Sequence, residues 1–203
     1  MASQSETGGL VLASKSASRR AMLDAAGVAY RSIPADLDER ALEAQLGPAA
    51  RPQTVALELA RAKALSVCLQ APEELVLGSD SLVECGGRRF DKPACRSDAV
   101  EHLRFFSGKV MHLHSAAVIA RGGEVLRSQV SVASLQVAQL SDRFIEDYLD
   151  HEWPAVSGCV GVFRIEGRGV QLFRAIEGDH FTVLGMPLLA VLQFLRELGA
   201  LSP

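Results

Sequence analysis

Two spacings of hydrophobic residues alternate along this chain: short apolar runs, which read as buried strands, and apolar positions three and four apart, which read as helices packed on them. The run at 9–13 predicts a strand, and 17–26 predicts a helix closed by Gly27. A second strand is expected over 28–33, broken by Pro34, followed by a short helix over 39–45 capped by Asp38 and ended by Gly47-Pro48. Val55, Leu59, Ala62 and Leu65 place a longer helix at 52–69, with Pro52 suited to its first turn. Residues 74–83 read as a buried strand interrupted by a polar island, Ser79-Asp80-Ser81, and Gly86-Gly87 supplies a turn. A helix over 97–106 capped by Ser97, a hairpin of 110–120 and 124–136 around Arg121-Gly122-Gly123, and a helix from Ser141 to about residue 150 follow. A Gly-rich stretch at 157–169, a strand over 170–176 and an apolar helix at 187–198 complete the order. Strands interleaved with helices, without repeats or a linker, predict an α/β fold: residues 1–8 as a flexible tail and 9–203 as one domain.

Composition narrows the partners. With 203 residues, 48% of them hydrophobic, the chain can build one large core or two small lobes sharing a cleft. Its 21 basic and 24 acidic residues leave a formal charge of -3, so no global positive field favours a nucleic-acid backbone and any phosphate site has to be local. Cys68, Cys85, Cys95 and Cys159 stand far apart with no CxxC pair, which fits reduced structural thiols. No export signal and no apolar run near about 20 residues is present, so a cytoplasmic protein outside the membrane is expected.

Candidate chemistry clusters in four places. Ser14-Lys15-Ser16-Ala17-Ser18-Arg19-Arg20 joins hydroxyls and cations to a helix start, where free N–H groups hold phosphate oxygens, although a serine cap with solvated arginines has the same appearance. Asp80 lies inside an apolar strand, where an unpaired carboxylate is costly to bury, so it needs solvent, a cation or a metal; it suits a metal ligand or a water-orienting base. Asp36, Asp38 and Glu39 supply further carboxylates, and Lys92 before Pro93 another cation, together matching what metal-assisted attack on a phosphoanhydride needs. His112 and His114 fall on one side of a strand, but no third ligand follows at a recognisable spacing. GxxxxGK[ST], GxGxxG and GxSxG are all missing, which removes the main support for a P-loop, a dinucleotide site or a serine hydrolase.

In order and spacing, these clusters resemble the Maf-like nucleotide pyrophosphatases over residues 10–199. The landmarks are Leu12-Ala13-Ser14-Lys15-Ser16-Ala17-Ser18-Arg19-Arg20, Asp36-Leu37-Asp38-Glu39, Ala60-Arg61-Ala62-Lys63-Ala64, Leu77-Gly78-Ser79-Asp80-Ser81, Lys92-Pro93, Phe106-Ser107-Gly108, and Ile176-Glu177-Gly178-Asp179 leading to Leu184-Gly185-Met186-Pro187-Leu188. The resemblance implies a mixed sheet with flanking helices, two lobes around a deep cleft as in inosine triphosphatase-like folds, and cleavage of a nucleoside triphosphate to monophosphate and pyrophosphate with Mg or Mn. It implies a base or metal-ligand role for Asp80, a metal role for Glu39, and phosphate contacts for Ser14, Arg19, Lys63 and Lys92. A homodimer is a further expectation from the family. Ala17 and Ser18 replace a common Pro and a bulky or basic residue near the base pocket, and Ser81 stands for the usual Thr. The stretch 158–167, with Cys159, Phe163, Arg164 and Glu166, is similar to the 7-methyl-GTP branch; the acceptor-only carboxylate of Glu166 suits a purine N–H donor or a cationic methylated guanine. The competing reading is a nucleotide-binding regulator of cell division that does not turn its ligand over.

Overall fold

The computed structural model describes residues 9–202, so the tail expected at 1–8 lies outside the described residues. Its strands are β1 (Leu10–Leu12), β2 (Arg31–Ser32), β3 (Leu75–Cys85), β4 (Arg88–Phe90), β5 (Val110–Arg121), β6 (Glu124–Val137) and β7 (Phe173–Glu177). The helices are α1 (Ala17–Ala25), α2 (Glu39–Leu46), α3 (Pro52–Cys68), α4 (Arg96–Phe106), α5 (Asp142–Glu152), α6 (His180–Leu184) and α7 (Leu188–Glu197). All seven strands form one mixed sheet in the order β2-β1-β3-β5-β6-β7, with β4 on the outer edge of β3. β1 runs parallel to β2 and β3, and the remaining pairings are antiparallel. The α/β class with flanking helices is therefore the observed one. No helix among the described residues is long and apolar enough to cross a membrane.

The long strands carry three cores. On one face, α3 buries Val55, Leu59, Ala60 and Ala64 against Val76, Leu82 and Val118. On the opposite face, α1 and α7 bury Leu23, Val191 and Leu195 against Leu12, Leu77 and Ile119. Towards the other end of the sheet, α4 and α5 bury Leu103, Phe106 and Leu149 against Val83, Cys85 and Leu135. The cores meet along β3 between Leu77 and Val83, where the polar island sits. β1 stops pairing with β3 at Leu77 and β4 begins at Val83, so among the described residues this edge of β3 carries no strand from Gly78 to Leu82. Gly78 lets α3 close on the sheet here: a Cβ on it would stand 2.1 Å from the Ala60 carbonyl oxygen.

Several boundaries differ from the sequence expectation for local reasons. The strand expected at 28–33 shrinks to Arg31–Ser32 because the chain first closes α1, with Val28 donating to the Leu23 carbonyl and Gly27 in the left-handed region. Helix α4 starts at Arg96 with Cys95, not Ser97, as its cap residue. Residues 170–172 form part of a tight 3-10 turn, leaving the strand to Phe173–Glu177. The short β4 and α6 had no readable periodicity, being held by neighbours: β4 pairs with Val83–Cys85, and α6 is capped by Asp179.

Candidate active site

At the end of β1, Ala13 still donates to the Leu77 carbonyl, and the chain then turns through Ser14 to Ser16, which caps α1. Ser14 is buried; its hydroxyl accepts from the Ser16 N–H at 3.1 Å. Arg19, in the first turn of α1, reaches across to β3 and the end of α6. Its Nε donates to the Gly185 carbonyl at 3.0 Å, Nη1 to Ser14 Oγ at 3.3 Å and Nη2 to Ser81 Oγ at 3.2 Å. A guanidinium so forked keeps one further N–H on each terminal nitrogen, the pair that matches a phosphate edge. Enclosure weakens its hold on its proton, while the negative charges of Asp80 and then Glu39 act the other way; arginine stays cationic throughout.

On the α3 face, Asp80 is only 6% exposed. Its burial is explained by Lys63, which the helix points at the sheet: Lys63 Nζ lies 2.5 Å from Asp80 Oδ1 and 2.9 Å from Glu39 Oε1. The carboxylate that looked costly to bury is thus half of a buried ion pair, and Lys63 is a counter-ion to both carboxylates assigned to a metal. Glu39, at the start of α2, is exposed. One turn on, Glu43 also faces this cluster: burial raises its pKa, Arg89 lowers it, and Asp91, Asp80 and Glu39 raise it. The i, i+4 spacing of Glu39 and Glu43, which puts both carboxylates on one face of α2, is the sequence signal for Glu43.

The structure therefore brings Ser14, Arg19, Glu39, Lys63 and Asp80 into one constellation at the open edge of β3. Lys92 and Glu166 stand apart from it. Both are exposed, and no hydrogen bond or ion pair ties either to the Asp80 cluster among the described residues. Both charges are felt by the Cys159 thiol, whose pKa is raised first by burial and then by Glu166, and lowered by Arg164 and Lys92. The Glu166 loop is rigidly held: Arg164 forks onto the buried Glu152 at 2.8 and 3.0 Å, and Tyr148 donates to the carbonyl of Val162, a β-branched residue held at φ 56°. Two residues not singled out by sequence complete the Arg19 side: Ser115, whose hydroxyl meets that of Ser81 at 3.0 Å, and Thr182, whose carbonyl accepts from Ser115 at 2.9 Å, while Ser81 itself donates to the carbonyl of the landmark Gly185 at 2.8 Å.

No group of three His, Cys, Asp or Glu side chains forms a ready metal cage among the described residues. Glu39 and Asp80 nevertheless suit an ion such as Mg, because each commits one oxygen to Lys63 and keeps the other without a protein partner among the described residues. Mg is commonly held by one or two carboxylates, water and substrate phosphates. His112 and His114 make no such pair: His112 faces Ser134 Oγ at 3.0 Å, and both ring nitrogens of the buried His114 lack a partner among the described residues.

A mixed sheet presenting a buried carboxylate beside a lysine and a forked arginine at the open edge of β3 marks an α/β protein whose charge arrangement suits anionic, phosphate-like ligands. The chain belongs to the Maf-like protein family, whose model matches residues 9–198. It is 46% identical over 194 residues to a 7-methyl-GTP pyrophosphatase of Rhizobium etli, covering 95% of this chain and 98% of the relative. It is 45% identical over 193 residues to a nucleoside triphosphate pyrophosphatase of Nitrobacter hamburgensis, covering 95% of both. A solved nucleoside-triphosphatase, described as a dITP/XTP pyrophosphatase, from Mycobacterium abscessus aligns with 65% of this chain and 74% of its own at 14% identity and a TM-score of 0.38.

Proposed function

We propose that this chain hydrolyses a nucleoside triphosphate to the monophosphate and pyrophosphate, with Asp80 as the base. The observation that carries the reading is the placement of Asp80, buried and ion-paired to Lys63, beside the Arg19 fork and the open edge of β3. In this reading Arg19, Ser14 and Lys63 hold phosphate oxygens. The free oxygen of Asp80 orients a water molecule and takes its proton as the water oxygen bonds to the α-phosphorus, and the bond from that phosphorus to the bridging oxygen breaks to release pyrophosphate. Glu39 and Asp80 would hold a Mg or Mn ion, whose contribution is to neutralise phosphate charge. Lys92 and Glu166, outside this cluster, are assigned in this reading to the far end of the nucleotide. The carboxylate of Glu166 supports a purine, with 7-methyl-GTP as the first candidate, in keeping with the name of the Rhizobium etli relative.

Incubation with a nucleotide panel and Mg or Mn, with products resolved by ion exchange, tests this directly. Monophosphate and pyrophosphate are expected, and diphosphate with orthophosphate would overturn the reaction. EDTA should stop turnover and excess metal should restore it; activity that survives thorough chelation refutes the metal assignment. Tight binding of a nucleotide without turnover under any metal would support a regulator instead.

A further inference from the structure

Ser115 is fully buried in β5, directly opposite Ser81 in the strand register, and is followed by Ala116, Ala117, Val118, Ile119 and Ala120. A hydroxyl in such a run is costly unless it is bonded. Its oxygen lies 3.0 Å from Ser81 Oγ and 2.9 Å from the Thr182 carbonyl. Ser81 Oγ lies 2.8 Å from the Gly185 carbonyl and accepts from Arg19 Nη2, while the same carbonyl accepts from Arg19 Nε. Arg19, Ser81 and Gly185 thus close a ring, and Ser115 ties that ring to the end of α6. Thr182 is anchored in turn, its N–H and hydroxyl both donating to Asp179. Gly185 follows α6 with a left-handed φ of 105°, a turn that fixes where its carbonyl points.

We infer that Ser115 is a positioning residue, acting through Ser81 and Gly185 to aim the Arg19 fork at the triphosphate. It makes no hydrogen bond to Arg19. The two hydroxyls carry one proton each and share three contacts: the Gly185 carbonyl, the Thr182 carbonyl and each other. Removing the Ser115 hydroxyl takes one of three contacts from Ser81 and takes the donor from the Thr182 carbonyl, while Ser81 keeps the Gly185 carbonyl and Arg19. Two of the three bonds that orient the guanidinium then lose one of the tethers that hold their acceptors in place. This inference rests on the reading of Arg19 as a phosphate-binding cation.

A double-mutant cycle measured with inorganic tripolyphosphate separates this from a general packing role. Calorimetric titration should show affinity lowered about five- to tenfold in Ser115→Ala, the scale of one lost hydrogen bond. Ser115→Thr, which keeps the hydroxyl, should restore it to within about twofold. In the Arg19→Ala background, Ser115→Ala should have no further effect. Affinity of Ser115→Ala within about twofold of the parent, or losses that add in the double variant, would overturn the inference. Should Ser115→Ala not fold, Ser115→Cys, with a weaker donor in the same place, carries the same cycle. With nucleotide, the expected signature is a raised KM with kcat changed by less than about threefold. A parent protein that binds tripolyphosphate yet cleaves no nucleotide would defeat the proposed reaction and leave this cycle intact.

Discussion

Replacing Asp80 with Asn keeps the side chain's size and its ability to accept from Lys63, and removes one negative charge from a site that is 6% exposed. If Asp80 activates water, turnover should fall about a hundredfold or more, the loss typical of a missing general base. The effect on stability is worked from its partners. An isolated buried carboxylate would favour the amide, but Asp80 is paired to Lys63 at 2.5 Å, so the sign reverses. Breaking a buried pair outright costs about 3–5 kcal/mol. Here Lys63 keeps Glu39 at 2.9 Å and gains the Asn carbonyl as acceptor, so the loss should be about 1–2 kcal/mol. For a domain of this size that corresponds to a melting temperature lower by about 3–6 °C. Product release measured by ion exchange and a thermal melt on the same preparation decide the matter. Activity within a few-fold of the parent would end the catalytic assignment, and a raised melting temperature would refute the ion-pair reasoning.

Gly78→Ala should destabilise the protein by about 3 kcal/mol or more, because the new Cβ would stand 2.1 Å from the Ala60 carbonyl oxygen and 2.6 Å from the Ala64 nitrogen, both unyielding helix backbone; urea unfolding within about 0.5 kcal/mol of the parent would contradict the close approach of α3. His114 should make stability fall in mild acid. Its folded pKa is lowered, first by burial and then by His112, against a smaller raising effect of Glu84. The unfolded chain therefore takes up a proton as pH drops below about 6.5 while the folded chain resists it. The loss begins there and grows until the folded pKa is reached, so His114→Gln should flatten unfolding free energy between pH 7 and 5. An unchanged slope would exclude His114 as its source.

The main elements were legible because hydrophobic spacing decides them: α3, the β5–β6 hairpin and α7 repeat their apolar positions over three turns or many strand residues, and tertiary packing agrees with local preference. Elements whose stability comes from partners were not legible. β4 has three residues and α6 exists because Asp179 caps it and Gly185 ends it, while the strand expected at 28–33 is present as β2 but keeps only two residues. The same contrast runs through the site. Asp80 could be singled out since a carboxylate in an apolar strand violates burial rules, and Arg19 since it opens a helix after a strand. Ser115 breaks the same rule more quietly, as a single hydroxyl at a strand position that small residues also fill, and only the register opposite Ser81 gives it meaning.

Lys63 shows most clearly what sequence order leaves out. Its place among the landmarks implies a phosphate contact, but its position on α3 makes it the shared counter-ion of Glu39 and Asp80. Lys63 and Arg19 together cancel those two carboxylates, so the assembled quartet carries no net charge, and no hydrogen bond or ion pair joins Lys92 to it among the described residues. A triphosphate brings about four negative charges. Such a site cannot attract its ligand by a surplus of protein cations alone. In the proposed reading its selectivity comes from directed N–H groups, from the charge of Lys92 and from a cation that enters with the nucleotide. Rearranging the Lys63 bridge as the ligand binds would then free the carboxylates at the moment they are needed. A buried pair is suited to this because its strength depends on the absence of other partners, and the arriving phosphates supply Lys63 with one.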